Sequence, residues 1–248
     1  MSSRPAVLRG LLALAVLLPA CGPFPSRIDR MGGGDQAALA GQAVDLPYVF
    51  QVFRQSSDID APEIPFEGAE VHFIVEGGGS VPEEVVLTDR DGFARSTWTL
   101  GTEGPQTLRV AMYRGNGEFS LDTPFDYTGT VITRGEALVD ARDDERYETL
   151  IIVTQRWMSQ NLRFESIASV QNPGAPELWG RLYAWDDALT ACPAGWHLPT
   201  EDEWVTLEML LGRQSVTSNP NNAYGRGMKA TVEWSAGGEG TNTTGFEA

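Results

Sequence analysis

The stretch from Tyr183 to Gly212, Y-A-W-D-D-A-L-T-A-C-P-A-G-W-H-L-P-T-E-D-E-W-V-T-L-E-M-L-L-G, admits few backbone paths. Pro199 disfavours helix at Leu198, so Trp196-His197-Leu198-Pro199 reads as extended. Before it, Trp185, Ala188, Leu189 and Cys192 fall at i, i+3, i+4 and i+7, the spacing of one apolar helix face. Pro193 and Gly195 end that helix. After it, Thr200 and Glu203 have the spacing of a capping box, in which each side chain accepts from the other's backbone N–H. Glu201, Asp202 and Glu203 suit the positive end of the helix dipole. Trp204, Leu207 and Leu211 form the expected buried stripe, and Gly212 is a natural stop. The local logic predicts a compact αβα piece with Trp185, Trp196 and Trp204 near one core.

Those residues also carry a resemblance. The pattern W-x-x-A-x-x-x-C followed by G-W-H-L-P-T-x-x-E-W resembles the Fibrobacter succinogenes-type major paralogous domain. That family is similar in turn to the C-type-lectin-like superfamily, which includes the formylglycine-generating enzymes. Upstream residues agree: Asp140-Ala141-Arg142-Asp143, Tyr147, Gln155 to Leu162, and Trp179-Gly180-Arg181-Leu182-Tyr183. The resemblance covers residues 133–248 and implies an α+β lectin-like domain. Related domains continue beyond the segment that Gly240 to Ala248 resembles. The domain is therefore expected to be truncated, with an open sheet edge. Many relatives also carry a cysteine in the loop before Gly180-Arg181-Leu182-Tyr183, and here Pro173 to Trp179 has none.

Residues 35–132 follow a different period. Tyr48 to Phe53, Val71 to Val75, Val85 to Leu87, Ala94 to Leu100 and Leu108 to Met112 read as short strands. Gly77-Gly78-Gly79, Asp91-Gly92, Gly101 to Pro105 and Gly115-Asn116-Gly117 read as the turns between them. This pattern predicts an all-β sandwich. Gly34-Asp35-Gln36, Gly41-Gln42, Gly68 to Phe73, Gly77 to Gly79, Thr88 to Ala94 and Trp98 to Gly101 resemble the bacterial Ig-like domains of invasins and intimins. In that family the domain is a rigid spacer. Asp89-x-Asp91-Gly92 reads as a hairpin turn rather than a calcium loop, because the further oxygen ligands and distal Glu of such a loop are missing. His72, inside a strand with no second candidate beside it, reads as structural.

The N-terminus reads as a secretory signal over residues 1–20. Arg4 and Arg9 precede the apolar run Leu11 to Leu18, which is far shorter than the roughly 20 residues a membrane span needs. Leu18-Pro19-Ala20-Cys21 resembles a bacterial lipobox, which makes Cys21 the expected lipid attachment site. The alternative is an ordinary signal peptide with an incidental cysteine. Residues 21–34 then read as a flexible tether, and Gly22 after the cysteine suggests sorting to the outer membrane.

A net charge of −16 excludes nucleic acid as a partner, since phosphates demand Lys and Arg. No G-x-S-x-G, H-E-x-x-H, phosphate loop or Cys/His metal cluster occurs, so no catalytic residue, metal or cofactor is expected. The formylglycine-generating relatives need a late pair of reactive cysteines, and none follows Cys192. Cys192 is either buried on its helix face or open to an intermolecular bridge, with burial favoured by its position. His197, in an apolar run, reads as packed rather than catalytic. The expected protein is a surface-anchored bacterial lipoprotein with an Ig-like spacer and a lectin-like tip, concerned with adhesion or recognition of a glycan or surface protein. The alternatives are a structural envelope lipoprotein or decayed paralogue without ligand, and, further off, an enzyme of the formylglycine-generating type. The ligand-binding residues are not readable from sequence.

Overall fold

The computed structural model describes residues 25–56, 60–113, 123–171, 174, 179–211, 223–231 and 240–246. The signal segment, Cys21, the turn expected at Gly115-Asn116-Gly117, Asn172-Pro173 and Gly212 lie outside the described residues.

The described residues open with β1 (Pro25–Gly32), β2 (Gln36–Leu39), β3 (Tyr48–Arg54), β4 (Ile64–Pro65) and β5 (Glu70–Glu76). They continue through β6 (Val85–Leu87), β7 (Phe93–Ser96), β8 (Gln106–Ala111) and β9 (Phe125–Arg134). Beyond these come β10 (Leu138–Val139), β11 (Arg146–Tyr147), β12 (Thr149–Ile152), β13 (Gln155–Met158), β14 (Ser169–Gln171) and β15 (Arg181–Tyr183). The helices are α1 (Trp185–Ala188), α2 (Glu201–Leu210) and α3 (Ala223–Met228).

One sheet is built on β3, which pairs with β1 on one side and with β4 and β7 on the other. The second sheet runs β13-β12-β9-β8-β5-β6, with β2 parallel to β9. Alternate residues of both sheets meet in one core: Tyr48, Phe50, Val52 and Ala94 face Val71, Phe73, Leu108 and Val110, with Trp98 and Leu100 closing one end. This is the sandwich that the period-two pattern predicts.

The expected tether is in part a strand. From Pro25 to Gly32 the chain pairs antiparallel with β3 and inserts Ile28 into the core. Its charged side chains hid it: an edge strand needs only backbone pairing and one inward apolar residue, and charge on the outer side is favourable there. Arg27 lies over the Phe53 ring and bonds Glu63 at 2.6 Å. Gly33 follows at φ 89°, where an added Cβ would meet Tyr48 Cδ1 at 2.4 Å, so only glycine fits against that ring.

The turn at Asp89 closes as expected, with the Gly92 N–H on Asp89 O at 2.8 Å and the Asp89 N–H on Phe93 O at 2.9 Å. The strands it joins do not pair, however, because it links β6 in one sheet to β7 in the other. The Asp89 carboxylate accepts from the N–H groups of Asp91 (3.0 Å) and Phe93 (2.9 Å) and from Arg95 (3.1 Å), so it is an Asx-type corner rather than a cation loop. His72 sits in β5 with its ring edge-on to Tyr113 at 4.8 Å, a structural placement.

β9 crosses the position where the period-two region was expected to stop, at residues 132/133, and its two faces serve two cores. Tyr127 and Val131 point into the sandwich. Ile132 points the other way, beside Leu39 of β2 and Ile152 of β12, which are its register partners. With Leu150, Ala37, Trp157, Phe246, Leu207 and Leu211 these form a second core. One sheet is thus shared by both halves of the chain, and α2 packs on its far face through Leu207 and Leu211.

In the second half, α2 begins with the expected capping box. The helix before it is shorter than its spacing suggests. α1 is only four residues, none of them buried, and Trp185 and Leu189 are exposed. A single turn with Pro193 close behind cannot present a full apolar face. Gly225 and Gly227 lie within the short helix α3.

Candidate functional site

A cleft of about 560 Å³ opens between β13, the extended Trp196–Pro199 segment and the first turn of α2. That volume lies within the ordinary range for small-molecule sites, about 300–1,000 Å³. β13 supplies Gln155, Arg156, Trp157 and Met158, and Phe246 closes the back. β13 pairs with β12 alone among the described residues. Pleating sends Trp157 into the second core, where it is only 9% exposed.

Trp204 stands against that buried ring, with centroids 5.0 Å apart and planes tilted by 50°. It is not part of a buried stripe. It remains 43% exposed and forms a wall of the cleft, while Leu207 and Leu211 alone are buried. Trp196 is half-buried on the opposite segment, held by a turn in which its N–H donates to Pro193 O at 2.9 Å, with Gly195 at φ 82°. The Arg156 guanidinium lies 5.4 Å from the Trp196 ring centroid. The three tryptophans of the αβα stretch therefore do not share a core. Trp185, 70% exposed, is outside the cleft altogether.

The polar groups of the cleft are tied into the scaffold. Glu203 closes the cap, accepting from the Thr200 N–H at 2.8 Å and the Thr200 hydroxyl at 2.9 Å. Its carboxylate also meets His197 Nε2 at 2.9 Å. The Thr200 N–H, then His197, hold the Glu203 carboxyl below the usual carboxylate range. His197 is thus an exposed residue hydrogen-bonded to Glu203, not the packed one its apolar neighbours suggested. Arg156 donates to Thr149 Oγ1 at 3.2 Å and to the Glu136 carbonyl. Gln155 accepts from the Trp157 indole N–H at 3.1 Å and donates to the Glu203 carbonyl at 3.3 Å.

Cys192 lines the same cleft, half-buried. Burial pushes its thiol pKa up, with Arg142 opposing. A raised pKa keeps sulfur protonated at neutral pH, the opposite of an activated nucleophile.

The other residues that carry the family pattern build the frame. Asp140 is buried and takes a bidentate pair of bonds from Arg142, whose Nη2 also donates to Ala191 O at 2.8 Å. The Arg142 guanidinium stacks 3.6 Å over Phe164. Tyr147 is fully buried and accepts the Arg163 N–H at 3.1 Å. Tyr183 donates to Phe164 O at 2.7 Å, and burial pushes its hydroxyl up to about 12. Gly180, at φ 67°, passes so close to Asn161 that a Cβ would sit 2.7 Å from it. Among the described residues no group of three or more His, Cys, Asp or Glu could hold a metal.

Residues 150–248 match the family model described as the Fibrobacter succinogenes major domain. The resemblance read from Trp185 to Trp204 is borne out over that segment, which contains every cleft residue. Two solved structures are similar at low scores. One is a C-terminal 282-residue fragment of intimin in complex with the intimin-binding domain of the translocated intimin receptor. It is 17% identical at a TM-score of 0.30, covering 52% of this chain and 45% of that one. The other is the D0-D1 domain of intimin, 20% identical at a TM-score of 0.26, covering 42% and 44%. The chain spans less than half the length of either. No curated protein matches.

Proposed function

We propose that this is a lipid-anchored recognition protein of a bacterial outer membrane, with Cys21 as the lipid attachment site. In this reading the sandwich, from β1 to β9, is an Ig-like spacer, and the part of the chain beyond β9 is a lectin-like α+β domain. That domain binds a glycan or a surface protein and catalyses nothing. The carrying observation is the cleft, whose lining holds Trp204, left open to solvent at 43% exposure, together with the half-buried Trp196. Exposed indoles on a preorganised frame are costly to leave wet and characteristic of recognition surfaces. The absence of chemistry is supported by the same frame. The Glu203 carboxylate is spent on the helix cap and His197, and the Cys192 thiol is protonated.

The shared sheet supports the spacer role. Because β9 belongs to both cores, the cleft is held rigidly with respect to the sandwich.

The test is retention of the full chain on intact cell-surface preparations, bacterial and host, with near-UV circular dichroism confirming packed aromatics. Retention that falls in Trp204→Ala and Trp196→Ala supports the reading. A folded chain retained on no preparation overturns it, in favour of a structural envelope lipoprotein or a decayed paralogue without ligand.

A further inference from the structure

We infer that the cleft takes a neutral oligosaccharide, with Trp204 and Trp196 as the stacking faces and the amide of Gln155 at the polar edge. This rests on the recognition reading and names its ligand class.

Three features select that class. The first is charge. Arg156 is bound to Thr149 and Glu136, and Glu203 to Thr200 and His197, so the charged groups of the cleft already have partners. A ligand carboxylate or sulfate would also approach a chain of net charge −16. The second is the aromatic arrangement. A cage for a quaternary ammonium needs several ring faces turned to one point. Here Trp157 and Phe246 line the cleft but are buried, at 9% and 6% exposure, while Trp204 is exposed and Trp196 half-buried. One exposed ring with a second, partly open one on the same cleft forms a platform, which suits a flat ring with an apolar face. A pyranose has such a face of C–H groups and a rim of hydroxyls. The third is the rim chemistry. The Gln155 amide uses one donor hydrogen and one lone pair internally, and a primary amide carries two of each. A donor and an acceptor side by side match a hydroxyl, which gives and accepts at once.

The experiment uses the full chain and tryptophan fluorescence. The probes are neutral hexasaccharides of β-glucan, α-glucan, β-xylan and β-N-acetylglucosamine, with hexagalacturonate and choline as charged comparators. Saturable binding of at least one neutral hexasaccharide is expected, with none to hexagalacturonate or choline. Trp204→Ala should weaken it about tenfold, as loss of one stacked ring does elsewhere. Trp204→Phe should restore most of it, since an aromatic face returns. Trp185→Ala should bind as the unaltered protein does, because Trp185 is exposed but lies outside the cleft. Equal binding by Trp204→Ala and the unaltered chain overturns the inference, as does binding of choline or hexagalacturonate in place of the neutral sugars. No binding to any hexasaccharide also overturns it.

Treatment of the cell preparations separates this inference from the reading beneath it. Retention that survives periodate but is lost to protease removes the sugar and leaves recognition standing, with a protein as partner. No retention before any treatment removes both.

Discussion

The two cores of this chain use their aromatic residues in opposite ways. In the sandwich, Trp98, Tyr48, Phe50 and Phe73 are essentially inaccessible, and the rings pack on one another at 4.9–6.4 Å. Among the described residues of the second half, Trp157, Tyr147 and Phe246 are the fully packed aromatics, while Trp179, Trp185 and Trp204 stay in contact with water. Burying large aromatics is the strongest single contribution a core can receive. A region that forgoes it has its rings placed for something other than stability. Under the proposed function, this difference makes one half a scaffold and the other a binding surface.

The contrast breaks if truncation costs the same on both sides. Trp98→Ala should cost about 4 kcal/mol, the range for deleting a fully buried aromatic, measured by urea unfolding. Trp204→Ala should cost far less, since its ring is already 43% exposed. Equal losses would mean that Trp204 is a core residue and that the cleft is incidental packing.

The next effect tests whether the halves are one cooperative body. Leu207 is fully buried in the second core, and Leu207→Ala should cost about 3 kcal/mol. Because β9 carries Tyr127 and Val131 on one face and Ile132 on the other, that loss should be felt by both cores. Unfolding followed by tryptophan fluorescence and by far-UV circular dichroism should give coincident curves. Separated curves would show that the shared sheet does not couple them.

What the sequence revealed and what it hid follow from how local each signal is. Thr200 and Glu203 are three residues apart, and their mutual bonds need nothing but a helix, so the cap was legible. Strands β3, β5 and β8 were legible because alternation is itself the burial pattern. Strand β1 was not, because Arg27, Asp29 and Arg30 disguise an edge strand whose pairing is all backbone. The overlap of the halves at β9 was hidden because one continuous strand turns Tyr127 to the sandwich and Ile132 to the second core, with no break in the chain to mark a boundary. The cleft was hidden most deeply. Trp157, Trp196 and Trp204 come from a strand, a loop and a helix, and no spacing announces that they meet. The apolar face read from Trp185 to Cys192 failed for the converse reason: the spacing was present, but one turn of helix has nothing to pack against.

A smaller effect separates frame from surface inside the second half. Asp140 is buried, and the Arg142 guanidinium, through its side-chain bonds, holds the Asp140 carboxyl below the usual carboxylate range. Asp140→Asn should cost about 2 kcal/mol, the value of bonds to a charged group. The sign of the pH dependence follows. Asp140 titrates lower in the folded chain than in the unfolded one, where its pKa is about 3.9. The pair therefore stabilises fully above that value, and its contribution is lost as pH falls through the lowered folded value. Asp140→Asn should flatten this part of the acid limb of the stability curve, and an unchanged limb would remove Asp140 from the frame.

The smallest effect joins frame to surface. Thr200→Ala removes the hydroxyl that accepts the Glu203 N–H at 3.3 Å, and should lower stability by about 1 kcal/mol. The same change takes one partner from the Glu203 carboxylate, which then holds His197 at the cleft rim with one fewer fixed contact. Ligand affinity should therefore fall in Thr200→Ala, but by less than in Trp204→Ala, because the ring faces stay in place. Thr200→Ser keeps the hydroxyl and should keep both stability and affinity. If Thr200→Ala weakened binding as much as Trp204→Ala did, the polar rim rather than the indole faces would carry recognition. The division between a packed scaffold and an aromatic surface would then have to be redrawn around the helix cap.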